Sequence, residues 1–273
     1  MPTLLRIQSE NNDFQYADTL RRNRVRRQRA RAFLVEGVRS INGAFAYGWH
    51  VVALLYARDR SLSDWARELL ARAEVDFHWE LPLTLLAKLS GKEETSELLA
   101  IVAMPDDRLA RIPLRPELRV VVVDRPASPG NLGTIIRSCD ALGVDGLIIS
   151  GHAVDPYDPE TISATTGSLF ALPIVRIGGS NDLAPWLADV RATLGGLRII
   201  GTSAQADLDV ADADLCAPVL LLIGNETRGL SAAYKELCDT LVTIPIVGSA
   251  SSLNVATATA ILLYEIDRQR RRE

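Results

Sequence analysis

The sequence predicts an α/β protein of two domains: a small α/β sandwich over 1–104 and a parallel-sheet α/β domain over 118–273, joined by a linker at 105–117. Three observations lead there. The chain has 273 residues, long for one ordinary α/β domain and comfortable for two. Pro105, Pro113 and Pro116, with charged residues between them, read as a connecting segment. Beyond it, runs such as Val219–Ile223 are apolar on both faces, as strands of a parallel sheet covered by helices must be.

Before the linker short units alternate. A helix over 18–28 leads to a strand at 33–36, a helix over 38–47 and a strand over 50–56. A helix over 62–73, a short strand at 75–77 and a closing strand over 98–102 follow, and this alternation predicts the sandwich. After the linker, strands are expected at 119–123, 146–150, 173–176, 198–202, 218–223 and 240–244. Helices are expected near 132–142, 159–166, 182–194 and 231–237. The last helix runs from Asn254 to about Arg270, with Val255, Ala258, Ile261, Leu262 and Ile266 at helical spacing. It is too apolar to stand free, so it packs on the sheet or on a partner subunit.

Composition narrows the function. Hydrophobic residues make up 48% and charged residues 23%, ordinary values for a globular chain. No apolar run has the length of a membrane span, and the first residues turn polar at once, unlike a signal peptide, so a cytoplasmic protein is expected. Cys139, Cys216 and Cys238 have no metal-ligand spacing, and no metal is expected. Only His50, His78 and His152 are available for histidine chemistry; His152 follows a strand end, where either a ligand or solvent would meet it. A net charge of −4 argues against non-specific coating of nucleic acid. The positive charge is concentrated, however. Arg21, Arg22, Arg24, Arg26, Arg27, Arg29 and Arg31 form an N-terminal run, and Arg268, Arg270, Arg271 and Arg272 a C-terminal one. The first run, with Arg22, Arg24, Arg26 and Arg27 at its centre, is assigned to RNA contact; a solvated helix face is the plainer alternative.

Three loops carry the chemistry, each directly after an expected strand, on the side where such sheets bind ligands. In the first, Pro129 and Gly130 turn the chain and Asn131 can cap the helix that follows. Arg137 lies opposite that helix's apolar stripe of Ile135, Cys139 and Leu142, free for a cleft or for an ion pair with Asp140. In the second, Ile223-Gly224-Asn225-Glu226-Thr227-Arg228-Gly229, the glycine permits close approach of a ligand and Glu226 can orient a cation or cap the next helix. In the third, Ile244-Pro245 is followed by Gly248 and by Ser252-Leu253-Asn254-Val255 at a helix start, where free backbone amides suit a polar ligand. No G-x-G-x-x-G follows a first strand, which disfavours a dinucleotide-dependent oxidoreductase.

In this order and spacing the three loops resemble those of the SpoU (TrmH) branch of the SPOUT RNA methyltransferases. The resemblance covers 118–270 closely, and Phe33-Leu34-Val35-Glu36-Gly37 resembles the ribosomal-protein-like substrate-binding domain of that family. Thr134, Ser163 and Glu97-Leu98 depart from the usual alanine, arginine and Gln-Gly, and none of them lies among the loop residues named above.

The resemblance implies a C-terminal trefoil knot, S-adenosylmethionine as cofactor, a homodimer formed through the C-terminal domain, and methylation of a ribose 2′-hydroxyl. Large-subunit ribosomal RNA is the expected substrate; transfer RNA is the alternative, and a catalytically silent RNA-binding module of the same fold is the rival from another class. By the same resemblance Asn131, Arg137, Glu226, Ser252 and Asn254 form the catalytic set. Ile223, Gly224, Asn225, Ile244, Ile246 and Leu253 hold the cofactor, with Thr202, at another strand end on the same side, as a further contact. Arg137 stays protonated, so gripping phosphate and stabilising a developing alkoxide suit it better than acting as a base.

Overall fold

The computed structural model describes residues 2–272. In chain order the elements are β1 (Thr3–Arg6), α1 (Asn12–Arg22), α2 (Arg24–Ala30), β2 (Ala32–Glu36), α3 (Val38–Ala46), β3 (Val51–Ala57), α4 (Asp64–Arg72), β4 (Phe77–Leu81), α5 (Leu83–Leu89) and β5 (Leu98–Ala103). Then come β6 (Arg119–Asp124), α6 (Pro129–Ala141), β7 (Gly146–Ser150), α7 (Pro159–Thr165), β8 (Ile174–Ile177), α8 (Ala184–Leu194), β9 (Arg198–Thr202), β10 (Leu208–Asp209), β11 (Val219–Ile223), α9 (Ala232–Leu237), β12 (Thr240–Thr243) and α10 (Val255–Arg270). No helix among the described residues is long and apolar enough to cross a membrane.

The chain divides into two units, residues 1–105 with 155–171, and residues 106–154 with 172–273. The first is built on a five-stranded sheet of order β1-β4-β3-β5-β2, in which β5 runs antiparallel to both β2 and β3. Successive strand residues face opposite sides. Leu34, Leu55, Leu99 and Ile101 therefore join Phe14, Ala17 and Leu20 of α1 and Leu85, Leu86 and Leu89 of α5 in one core. On the other side the Phe33 ring packs on Tyr157 at 4.7 Å and on Trp49 at 6.0 Å between centroids. Trp49 Nε1 donates to the Phe170 carbonyl at 3.1 Å. Residues 155–171, which the sequence places in the second domain, thus complete the core of the first unit.

Three local features differ from expectation. The helix expected over 18–28 begins earlier and breaks at Asn23, whose side chain accepts from Arg26 N and caps α2. The strand expected at 75–77 forms at Phe77–Leu81, where it pairs in parallel with β1 and β3. Helix α5 lacks the signal of a capping side chain, since Pro82 precedes it, and β1 and the two-residue β10 are too short to stand out in the sequence.

The second unit is a seven-stranded, wholly parallel sheet of order β10-β12-β9-β11-β6-β7-β8. Every residue of β7 and β11 is buried, because helices cover both faces. Val120, Val122, Ile148, Leu220 and Leu222 share one core with Trp186, Leu187 and Val190 of α8 and Tyr234 of α9. Helices α6 and α10 pack together, burying Leu132, Ile135, Ile136 and Cys139 of α6 and Leu262, Leu263 and Ile266 of α10. Arg270, at the end of α10, donates to the carbonyls of Leu118, Leu215 and Ala217. With Arg268 paired to Glu265 and Arg271 to Asp267, the C-terminal arginine run is largely engaged within the chain.

Candidate active site

Strands β6, β11 and β12 run in the same direction, so the loops that leave them emerge on one side of the sheet. Those loops are the three singled out in the sequence. Ser128, rather than Asn131, caps α6: its Oγ accepts from Asn131 N at 3.3 Å, and Pro129 occupies the first turn. Asn131 is left with its side chain free to reach sideways. Its Nδ2 donates to Glu226 Oε1 at 3.3 Å, and its Oδ1 accepts from Asn254 Nδ2 at 3.0 Å. Asn254 caps α10, its Oδ1 accepting from Ala256 N at 2.9 Å and Thr257 N at 3.3 Å. One chain of hydrogen bonds thus joins all three loops through Glu226, Asn131 and Asn254.

The second loop is held from both sides. Asn225 N donates to Gly229 O at 3.1 Å and Gly229 N returns a bond to Asn225 O at 2.9 Å, closing a tight turn with Gly229 at φ +65°. Asn225 Oδ1 accepts from Thr227 N and Arg228 N, while its Nδ2 donates to the Arg125 carbonyl at 2.7 Å. The turn itself also requires Gly224: a Cβ there would lie 2.3 Å from Leu230 N, inside the turn's own backbone. Glu226 caps no helix; besides Asn131 it accepts from Ala127 N at 3.3 Å.

Below this loop sits a pair that sequence reasoning missed. The buried Asp124 carboxylate accepts two bonds from the Arg125 guanidinium at 2.8 Å and one from Ser231 N at 2.9 Å. Burial pushes the Asp124 carboxyl up, but the hydrogen bonds from Arg125 and Ser231 and the arginine's charge outweigh it, leaving it below its ordinary value. Arg125 adopts φ +54°, a left-handed conformation costly for a residue with a Cβ. That conformation turns its carbonyl to Asn225. The position of Asp124-Arg125 at a strand end was the available signal; the backbone twist has none in the sequence.

A cavity of about 380 Å³ opens beside these loops. All seven residues expected to hold a cofactor line it: Thr202, Ile223, Gly224, Asn225, Ile244, Ile246 and Leu253. Glu226 and Ser252 of the expected catalytic set line it as well, together with Gln205, Arg228 and Lys235, which the sequence reading did not single out. Thr202 Oγ1 donates to Leu222 O at 3.1 Å, tying β9 to β11 at the cavity's wall. Asn131, Asn254 and Arg137 are not among the lining residues. Arg137 is exposed on α6; it forms neither the ion pair with Asp140 nor a bond to Glu226, and no other partner for it exists among the described residues.

The arginine run needs one correction. Arg27 does not face RNA, because its side chain is 2% exposed. Its Nε and Nη2 donate to Asp155 Oδ2 at 2.9 and 2.8 Å, Nη2 also reaches Asp158 Oδ2 at 3.0 Å, and Nη1 serves the carbonyls of Leu20 and Arg21. Every donor of the guanidinium is satisfied inside the first unit. Arg22 pairs with Asp18 at 2.8 Å but stays exposed, as do Arg24 and Arg26. His152 lies exposed in its loop, and among the described residues no group of three or more histidine, cysteine or acidic side chains is placed to hold a metal ion.

Comparison with known proteins adds two domain matches. Residues 118–264 match the SpoU rRNA Methylase family, and residues 11–100 match the SpoU L30e-like domain. The chain is 49% identical to the 23S rRNA (uridine(2479)-2′-O)-methyltransferase of Streptomyces viridochromogenes, over 98% of this chain and 94% of that protein. It is 33% identical to the 23S rRNA (guanosine-2′-O-)-methyltransferase RlmB of Shewanella oneidensis, over 68% of each chain. The crystal structure of the SpoU methyltransferase AviRb from Streptomyces viridochromogenes in complex with AdoMet superposes with a TM-score of 0.92 at 49% identity, covering 96% of this chain and 98% of that one.

Proposed function

The chain belongs to the SpoU rRNA methylase family, and from that premise we propose that it transfers a methyl group from S-adenosylmethionine to a ribose 2′-hydroxyl of large-subunit ribosomal RNA. The observation that carries this reading is the 380 Å³ cavity, which opens at the loop whose Glu226 is hydrogen-bonded to Asn131. Its lining suits the cofactor: Ile223, Ile244, Ile246 and Leu253 supply apolar walls for an adenine, and the loop backbone supplies donors and acceptors for its edges and for a ribose. When bound, S-adenosylmethionine supplies an activated methyl group on a sulfonium.

The chain's own residues then divide the remaining work. Glu226 puts a carboxylate at the cavity wall, where a negative charge favours a cationic ligand, and Asn131 fixes that carboxylate's direction. Ser252 lies at the same wall and orients the reacting hydroxyl. Asn254 couples the start of α10 to Asn131, so the third loop and the carboxylate keep one geometry. Arg137, unpaired and always protonated, grips the RNA phosphate beside the target and stabilises charge developing on the 2′-oxygen. The reaction relies on positioning and preorganised charge.

RNA is held in part by Arg22, Arg24 and Arg26. The protein works in the cytoplasm as a homodimer through its C-terminal unit, a reading supported by the exposed Ile261 (38%) and Tyr264 (54%) on α10. Incubation with labelled S-adenosylmethionine and unmodified ribosomal and transfer RNA, followed by nuclease digestion, tests the proposal. Label on a ribose 2′-oxygen of 23S RNA is expected. Label confined to transfer RNA, or cofactor binding without transfer to either pool, would overturn it.

A further inference from the structure

The N-terminal arginine run does not act as one surface, and its sorting by the fold singles out a site. Arg21 donates to the Ser90 carbonyl, Arg22 pairs with Asp18, Arg27 is buried on Asp155 and Asp158, and Arg31 donates to the carbonyl of Pro105. Arg26 and Arg29 differ. Both are exposed, and among the described residues neither guanidinium has a hydrogen bond or an ion pair. Both line one cleft of about 430 Å³ between α1 and α2. Its other walls include Tyr16, Thr19 and Gln15. Tyr16 is 38% exposed, whereas the other aromatic of the same helix, Phe14, is 3% exposed in the core.

The break at Asn23 makes this arrangement. Had the helix continued straight through residues 12–30, Tyr16 and Arg26 would lie about 15 Å apart along its axis. Because α1 and α2 are separate helices packed together, the tyrosine on one and the arginines on the other face the same space.

Resting on the reading of this protein as an RNA methyltransferase, the geometry points to the α1–α2 cleft as a site for one unstacked base of a single-stranded RNA segment. The base stacks on Tyr16, with Gln15 and Thr19 at its edge and the flanking phosphates on Arg26 and Arg29. Recognition of RNA loops uses this combination, because an extruded base offers a π face to an aromatic ring while its phosphates remain charged. A duplex, whose bases are stacked away, cannot enter. Tyr16 and Arg29 become substrate-binding residues, and Arg27 drops out of the set.

The test uses the full chain, a labelled single-stranded oligoribonucleotide, the same sequence as a duplex, and 23S RNA as methyl acceptor. Tyr16→Ala is expected to weaken single-strand binding about tenfold, and Tyr16→Phe, which keeps the ring, to bind as wild type. Replacing Arg26 and Arg29 by glutamine should lower the slope of log affinity against log salt by about 1.4, the value for two phosphate contacts on a single strand. KM for 23S RNA should rise in Tyr16→Ala while KM for S-adenosylmethionine and kcat stay unchanged. Unaltered single-strand affinity and RNA KM in Tyr16→Ala, or duplex bound as tightly as single strand, overturns the site while leaving methyl transfer intact. Single-strand binding that is lost in Tyr16→Ala, together with no methyl transfer by the wild-type protein, overturns the proposed reaction and leaves the site standing. Equal thermal midpoints for the variants and the wild type establish that the fold is not the cause.

Discussion

Asn254 donates from Nδ2 to Asn131 Oδ1 at 3.0 Å, linking two residues 123 positions apart in the chain. The bond leaves each asparagine with a second duty. Asn254 Oδ1 caps α10, and Asn131 Nδ2 steers the Glu226 carboxylate. A helix start, a cavity wall and the Glu226 carboxylate therefore share one hydrogen-bond chain.

The two duties of Asn254 are separable. Asn254→Ala loses the cap and the bond to Asn131, and a loss of about 1 kcal/mol in stability is expected along with loss of methyl transfer. Asn254→Asp retains the capping acceptor, loses the donor to Asn131 and adds a negative charge that the N-terminus of α10 accommodates. It should unfold in urea at nearly the wild-type midpoint yet transfer methyl groups poorly; wild-type turnover in that variant would remove Asn254 from the catalytic set.

Arg137 is exposed and unpaired, so nothing in the fold depends on it. Arg137→Ala should change stability by no more than about 0.5 kcal/mol and leave S-adenosylmethionine affinity intact. Transfer to RNA should fall at least a hundredfold, as removal of a charge-stabilising donor does elsewhere. Calorimetric titration of the cofactor beside a labelled-transfer assay reads both, and near-normal turnover would refute the role given to this arginine.

Arg27 makes the opposite prediction. Its removal strands the buried Asp155 carboxylate and frees the segment that carries Tyr157 and Phe170 from one of its anchors. Arg27→Ala should destabilise the protein by about 3–5 kcal/mol, the usual cost of breaking a buried pair from one side. Urea denaturation checks it. A variant as stable as wild type but deficient in RNA binding would return Arg27 to the RNA surface.

Asp124 gives the fold an acid-sensitive contact. Its folded-state carboxyl titrates below its ordinary value, so the stabilisation is fully present above the unfolded-state pKa, near 3.8, and is lost as pH falls through the depressed folded value. The urea midpoint should fall with acidification below about pH 4. Asp124→Asn should be less stable at neutral pH and lose less on acidification. An equal acid response in the two proteins would show that other carboxylates carry it.

The parallel sheet was legible because strands such as Val219–Ile223 are apolar throughout, a pattern that only burial on both faces explains. The cavity was legible for a related reason. Its lining comes from strand ends and the loops directly after them, and local sequence places such residues on one side of the sheet. Strand β4 lies at Phe77–Leu81 and not at 75–77 because His78 and Glu80 alternate with the buried Trp79 and Leu81, the pattern of a half-buried strand, which pairs with β1 and β3.

What the sequence determined by itself was therefore local: the strands, most helices and the three loops, each set by the periodicity or turn chemistry of a few neighbouring residues. Only the tertiary structure decided which arginines are free, since Arg27 is neutralised by Asp155 and Asp158, 128 and 131 positions away. It also decided that Asn131, Glu226 and Asn254 form one chain, and that Arg125 twists to present its carbonyl. Hydrogen bonds and ion pairs between distant residues depend on distances of about 3 Å, which no spacing along a chain encodes.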